Sequence, residues 1–308
     1  MNPKPNTFTP TPNFGVGVSL TPTIVDTHSH LNFNAFRNDL DEIIKRTLAE
    51  NIWMINVGTT YKTSHKAVEI AKNYQKGVWA AIGLHPMHAV AEFIKLRTDP
   101  DEGEFLPEDS FEIEKYRELA KSKKVAAIGE IGLDYYYKPK TNAKLQQFKE
   151  KQRQVFLEQL SLAEELNLPI ILHCRMAHQD LIQILNSKSQ ILNSKLRGVV
   201  HCFTGNVEEM KRYIDLGFYT GFNGIIFKLP LDEVVKNCPL ENMLVETDCP
   251  YLTPLPAEAL AKAGPQGYVR NEPIFIKHTV QKIAELKNIS FQEVAEKTTE
   301  NARKLFNI

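Results

Sequence analysis

A chain of 308 residues, 43% hydrophobic and 24% charged, has the makeup of an ordinary folded protein and the length of one barrel with insertions. Its 37 basic and 37 acidic residues cancel, which excludes a protein that depends on long-range, non-specific attraction to nucleic acid but not an enzyme that grips one or two phosphates locally. No apolar run of 18 residues exists, which excludes a transmembrane helix.

Residues 1–22 are rich in proline and threonine, with no apolar stretch behind a basic start. They read as a disordered lead-in, not a secretory signal, and residues 23–308 as one domain. The four cysteines, none in C-x-x-C spacing, point to a cytoplasmic protein without a zinc knuckle.

The first strand is read at residues 24–31, with His28 and His30 two apart. Side chains two apart on a strand share a face, about 6–7 Å apart along it, so the two imidazoles can grip one metal ion. Alone, the pair is as readily two polar residues at a strand end. Residues 39–50 carry Leu40, Ile43, Ile44 and Leu48 at helical spacing. A strand at 52–58 follows, then a helix at 62–76, then a strand at 78–84 that ends in His85-Pro86. Residues 88–114 are strongly acidic and read mainly as a solvated loop, part of it near that strand's end. The strand at 125–129 ends in Glu130, with Gly132 and Asp134 after it. A long helix is expected at 144–166. The run Ile170-Ile171-Leu172 ends in His173, Cys174 and Arg175, and Val199-Val200 ends in His201. Between them, 184–197 is a short tandem repeat, an extension on the face away from those histidines. Helices at 207–216 and 231–236 flank a strand at 218–224, and Met243-Leu244-Val245 ends in Glu246, Thr247 and Asp248.

Short apolar runs alternating with helices call for a parallel sheet covered by helices. Eight of them suggest a single (β/α)8 TIM barrel, an α/β fold whose active sites lie at the C-terminal strand ends. That is where His28, His30, His85, Glu130, His173, His201 and Asp248 fall. Imidazoles and carboxylates gathered at one mouth call for a cation, since the carboxylates otherwise repel. Two divalent ions would serve better than one and would polarise an ester and activate water. A mixed nitrogen and oxygen ligand set suits zinc, manganese or magnesium. Cys174, Cys202 and Cys249 each follow a candidate ligand and so should face the helix layer as small hydrophobes. His65, His178 and His278 on helices and His88 in a loop read as solvated or packed. No G-x-S-x-G elbow, P-loop or G-x-G-x-x-G is present.

The runs Asp26-Thr27-His28-Ser29-His30-Leu31, Gly83-Leu84-His85-Pro86, Gly129-Glu130-Ile131-Gly132-Leu133-Asp134-Tyr135, Leu172-His173-Cys174-Arg175, His201-Cys202-Phe203-Thr204-Gly205, Glu246-Thr247-Asp248-Cys249-Pro250-Tyr251-Leu252 and Arg270-Asn271-Glu272-Pro273 resemble, in order, the TatD family of metal-dependent deoxyribonucleases, within the amidohydrolase-like hydrolases. The resemblance implies that His28, His30 and Asp248 hold one metal, His173 and His201 a second, and Glu130 both. It implies that Asp248 also orients or deprotonates the attacking water, and that Arg175 and Tyr135 contact phosphate, with Lys228 a weaker candidate. His85, Arg270, Asp134 and Glu246 would contact or orient the substrate or the ligands, Arg270 equally well pairing with Glu272. The implied activity is trimming of single-stranded DNA or RNA from a 3′ end. The runner-up is a metal-dependent amidohydrolase acting on a small cyclic amide or ester. There some enzymes bridge with a modified lysine on the fourth strand, where this chain has Glu130. A catalytically silent binding protein fits poorly with so many unused ligands. No membrane contact or obligate protein partner is inferred.

Overall fold

Eight short runs rich in β-branched residues form eight parallel strands: β1 (Ile24–Ser29), β2 (Ile52–Val57), β3 (Val78–Ile82), β4 (Val125–Asp134), β5 (Ile170–Arg175), β6 (Gly198–Val200), β7 (Phe218–Phe222) and β8 (Met243–Val245). The structure, a computed structural model, describes residues 22–94, 99–103, 111–192, 196–254 and 269–308. The N-terminal lead-in, but for residue 22, lies outside the described residues. The strands pair in chain order. The ring closes where Ser29 bridges Cys249 in parallel and where the Asp248 and His30 amides donate to His28 O (2.8 Å) and Cys249 O (2.9 Å). This is the (β/α)8 barrel expected from the alternating pattern. Every residue of β1, β2 and β4 is buried, as a parallel sheet covered on both faces requires.

The helices start where their sequences cap them. At α2 (Tyr61–Lys72) the Thr60 hydroxyl accepts the Thr63 amide at 3.2 Å while the Thr63 hydroxyl accepts the Thr60 amide at 2.8 Å. At α6 (Val207–Asp215) Asn206 and Glu209 make the same exchange, satisfying donors that a helix start leaves free. The remaining α-helices among the described residues are α1 (Leu40–Ala49), α3 (Ile113–Leu119), α4 (Asn142–Leu166), α5 (His178–Leu192), α7 (Asp232–Asn237), α8 (Ile276–Lys287) and α9 (Phe291–Phe306). The tandem repeat falls on the end of α5 and the approach to β6, with residues 193–195 outside the described set. α9 packs against β1 and β8, where Asn301 Nδ2 donates to Leu240 O and Met243 O, both at 2.9 Å. No helix among the described residues is long and apolar enough to cross a membrane.

Two irregularities aim the mouth residues. β1 pairs Asp26 with Met54 and then Ser29 with Asn56, one residue more on β1 than on β2. β4 pairs Ile128 with Ile170 and then Ile131 with Leu172, again one extra. Such bulges turn a strand and redirect its side chains, and they sit at His28 and at Glu130. β4 and β5 also run further than the apolar runs suggest. After the bulge the ladder continues through Gly132↔His173, Leu133↔Cys174 and Asp134↔Arg175.

Polar side chains of α4 tie down the strand ends. Gln159 accepts the Leu84 amide (2.7 Å) and donates to Leu84 O (3.0 Å). Gln152 does the same for Asp134, at 2.9 and 2.8 Å. Both amides are buried, so each replaces backbone pairing that the end of the ladder would lack.

Gly132 has φ +144°, and a Cβ there would lie 2.1 Å from His173 O. Gly132→Ala therefore combines a backbone cost of about 1–3 kcal/mol with an overlap that only movement of β5 can relieve. A clear drop in the chemical-denaturation midpoint is expected. An unchanged midpoint would show that β4 and β5 are not this close.

Candidate metal centre

His28 and His30 reach the mouth from the end of β1. Their Nε2 atoms stand 3.1 Å apart. His30 Nδ1 donates to Val57 O at 2.9 Å, which leaves a lone pair on Nε2 whenever the ring is neutral. Glu130 Oε2 lies 3.4 Å from His28 Nε2 and 3.8 Å from His30 Nε2. Asp248 Oδ1 lies 3.7 and 3.3 Å from the same nitrogens. Two ring nitrogens and two carboxylate oxygens thus converge with no fixed cation among the described residues. The other Glu130 oxygen faces a second pair: Oε1 is 2.8 Å from His173 Nδ1 and 2.7 Å from His201 Nε2, and these nitrogens are 3.4 Å apart. One carboxylate therefore spans two histidine pairs. The donor types and spacing suit divalent ions bound at about 2.0–2.2 Å. His28, His30, Glu130, His173, His201 and Asp248 thus gather in one mouth.

The surroundings orient these ligands. His173 Nε2 is 3.0 Å from Asp134 Oδ2, so Nδ1 is the nitrogen turned to the centre. Glu246 Oε1 stands 3.5 Å behind His201 Nδ1 and accepts from the Cys202 amide (2.7 Å) and Asn223 Nδ2 (3.0 Å). The His28 and His201 rings stack with centroids 3.9 Å apart. Asp26, buried below His28, accepts the Thr247 amide (2.9 Å) and hydroxyl (2.6 Å) and the His28 amide (3.2 Å). Burial pushes its carboxyl up to about 8 despite those bonds. The mouth also concentrates backbone strain. Met176, Cys202, Asp248 and Leu252, all just past β5, β6 or β8, have φ between 43° and 58°, a conformation costly for most side chains and common at functional sites.

Burial and charge pairing act in opposite directions on these groups. Burial works against the imidazolium of His201, but the charge and hydrogen bond of Glu130, with Glu246, lift it well above the ordinary histidine value. Burial likewise opposes the charge on Glu130, yet His201, His85 and His28 hold it well below the usual carboxylate range. Asp248 is lowered in the same way, by the His30 hydrogen bond and the surrounding imidazoles, against burial. His85 differs. Burial pushes it down to about 3, its Nδ1 accepts the Met87 amide at 3.2 Å, and so its Nε2–H points toward Glu130 Oε1, 3.5 Å away.

Some of the remaining residues depart from their expected places and others keep them. Tyr135 is buried on the helix side, with the Lys149 ammonium 4.3 Å over its ring. Because β4 continues to Asp134, Asp134 faces the centre and the next side chain faces away. Arg175 spends Nε (2.9 Å) and Nη2 (2.8 Å) on Asp134 Oδ2. Arg270 donates two hydrogen bonds to Asp39 (3.0 and 2.6 Å) and one to Glu272 (3.0 Å), the second of these partners being the alternative that the sequence offered. The acidic segment is not simply solvated where it is described. Glu102 accepts from Thr59 (2.7 Å) and pairs with a buried His88 (2.9 Å), and Asp99 accepts the Tyr251 hydroxyl (2.7 Å). His178 is packed on Phe203 and Tyr213. Cys174 faces the helix layer, its Sγ 3.7 Å from the Tyr213 hydroxyl. Cys202 does not: β6 ends at Val200, strand alternation no longer holds, and its thiol lies 3.6 Å from Asn223 Oδ1 at the mouth.

The profile of the family described as TatD related DNase matches residues 25–307. The chain belongs to this family. A Bacillus subtilis (strain 168) relative, named as the uncharacterized metal-dependent hydrolase YabD, is 38% identical over 289 residues, covering 92% of this chain and 99% of its own. A Pantoea ananatis relative named as the 3′-5′ ssDNA/RNA exonuclease TatD is 32% identical, covering 96% and 99%. Among solved structures, the TatD homologue YJJV of Escherichia coli k12 superposes with a TM-score of 0.73 at 29% identity, covering 93% of this chain and 98% of its own. A TatD family hydrolase from Entamoeba histolytica gives the same score at 27% identity, covering 94% and 99%. The mouth described above is therefore that of a TatD-family metal-dependent hydrolase.

Two outcomes follow from this geometry. Asp134→Ala frees the His173 ring and should weaken divalent metal binding by about 10–100-fold, read by competition with a chelating dye; wild-type affinity would show that the ring needs no such partner. Metal binding at pH 7 should also expel protons, since His201 must lose the proton that Glu130 stabilises. Affinity should fall as the pH falls, and calorimetric heats should vary with the buffer's ionisation enthalpy. Heats independent of buffer would refute this.

Proposed function

We propose that this TatD-family hydrolase cleaves phosphodiester bonds of single-stranded DNA or RNA, trimming from the 3′ end, with two divalent ions held on either side of Glu130. The observation that carries this reading is the division of the Glu130 carboxylate, one oxygen toward His28 and His30 and the other toward His173 and His201. Its name makes the Pantoea ananatis relative an exonuclease on such strands, which supports the same substrate here. Zinc, manganese and magnesium are the candidates from the ligand set. Bound there, such ions offset charge on the phosphoryl oxygens and acidify water.

The chain's own groups then divide the work. Asp248 takes the proton of the attacking water; its carboxylate is 3.3 Å from His30 Nε2 and kept ionised by the imidazoles around it. The water oxygen bonds to phosphorus as one P–O ester bond breaks, and the proton held by Asp248 passes to the departing alkoxide oxygen. His85, neutral, offers its Nε2–H to a phosphoryl oxygen. Asp134 and Glu246 keep His173 and His201 in place. Arg175, already paired with Asp134, balances charge beside the site in addition to any contact with phosphate.

The test begins with protein stripped of metal and given back zinc, manganese or magnesium, then assayed on end-labelled single-stranded DNA beside a dihydropyrimidine amide. Release of nucleotides from the 3′ end is expected, with the amide untouched. Hydrolysis of the amide alone would overturn the proposal. Asp248→Asn should cut turnover by about 10²-fold or more while metal remains bound on the His173 side. Turnover near wild type with metal in place would remove Asp248 from the proton transfer.

A further inference from the structure

All the exposed large hydrophobic side chains among the described residues lie on the mouth rim. Tyr136 and Tyr137 follow β4, Met176 follows β5, and Phe227 and Leu229 follow β7. Isolated exposed apolar residues need no explanation, but here the outer helices carry none of them. Tyr136 and Tyr137 are 53% and 55% exposed.

Their placement is specific. The Arg175 guanidinium lies 4.4 Å from the Tyr136 ring and 5.5 Å from the Tyr137 ring. The two rings meet edge to face at 4.7 Å. Arg175 holds Asp134, and Asp134 holds His173, so the aromatic pair stands one short chain of contacts from Glu130. Lys138 and Lys140 follow the pair and are exposed, and Lys228 lies exposed between Phe227 and Leu229. Each of these loops thus offers a flat or apolar surface beside a cation. Carboxylates stand elsewhere on the described rim: Glu102 is tied to Thr59 beyond β2, and Asp99 to Tyr251 beyond β8.

Resting on the proposed nuclease activity, we infer that the rim beyond β4, β5 and β7 is a stacking platform for the unpaired nucleobases of the substrate strand, with Tyr136, Tyr137 and Phe227 as its faces. Lys138, Lys140 and Lys228 meet the phosphates, while the acidic side steers the strand away from β1 to β3. Base faces are open only in an unpaired strand, so the platform makes the enzyme selective for single strands. It accepts every base, because each has a π face.

The experiment compares two hexanucleotides that share the same 3′-terminal nucleotide, one with bases throughout and one with abasic residues in the other positions. The metal-loaded wild type should prefer the first, by about 5- to 150-fold in kcat/KM for each stacked base. Tyr137→Ala and Phe227→Ala should each shrink that ratio, and Tyr137→Trp should keep it. Phe227 stands on a different loop from Arg175, so its effect cannot come from loosening Asp134. An undiminished ratio in both alanine variants would overturn the platform while leaving the nuclease reading intact. A 2-aminopurine base next to the 3′ end separates the converse case. Fluorescence quenching on binding to wild type but not to Tyr137→Ala, with no hydrolysis, would uphold the platform and sink the nuclease reading. Neither quenching nor hydrolysis would overturn both.

Discussion

One carboxylate organises this barrel. Glu130 is buried, ionised and shared between two pairs of histidines, and isolated burial of such a charge would be prohibitive. Much of the surrounding architecture supports that arrangement. The β4 bulge points Glu130 inward, the β1 bulge brings His28 and His30 beneath it, and the closure of β8 on β1 delivers Asp248. A parallel barrel suits the task because eight strand ends meet in one small mouth, so groups far apart in sequence converge without any single loop having to gather them.

Around the centre, three of the rings have partners behind them: a backbone carbonyl for His30, a carboxylate 3.0 Å away for His173, and a carboxylate 3.5 Å away for His201. The variety matters. Carboxylates behind a ring raise its basicity and strengthen its bond to a cation, whereas a carbonyl fixes the tautomer with less charge. Two further carboxylates, Asp134 and Glu246, thus stand behind the His173 and His201 pair, while Asp248 faces the His28 and His30 pair.

The fold and the convergence of the candidate ligands were legible because two signals coincided: buried parallel strands read as short apolar runs, and the polar residue breaking each run marks the mouth. What was hidden depended on where a strand truly stops. The polar character of Glu130 made β4 seem to end there, yet the ladder continues to Asp134, and that continuation turns Tyr135 to the helices and presents Tyr136 and Tyr137 instead. Cys202 was misplaced for the opposite reason, since β6 is shorter than an alternation argument needs. Arg175 and Arg270 are cations in a loop as far as sequence goes; their carboxylate partners, Asp134 and Asp39, are 41 and 231 residues away. The docking of Asp99 and Glu102 was equally invisible, because composition alone cannot distinguish an acid facing water from one held by a hydroxyl.

Gln152 and Gln159 did carry a sequence signal, polar amides on the apolar face of α4, and their role extends beyond local pairing. They are seven residues apart, about two helical turns or 10 Å along the axis. One clamps the residue before His85 and the other clamps the residue that holds His173. The pitch of α4 therefore acts as a ruler between two walls of the mouth. A loop on the outside of the barrel can lengthen freely, but a single residue added to α4 between these glutamines would rotate one of them by about 100° and release its strand end. The helix is the part of the outer layer whose length the chemistry fixes.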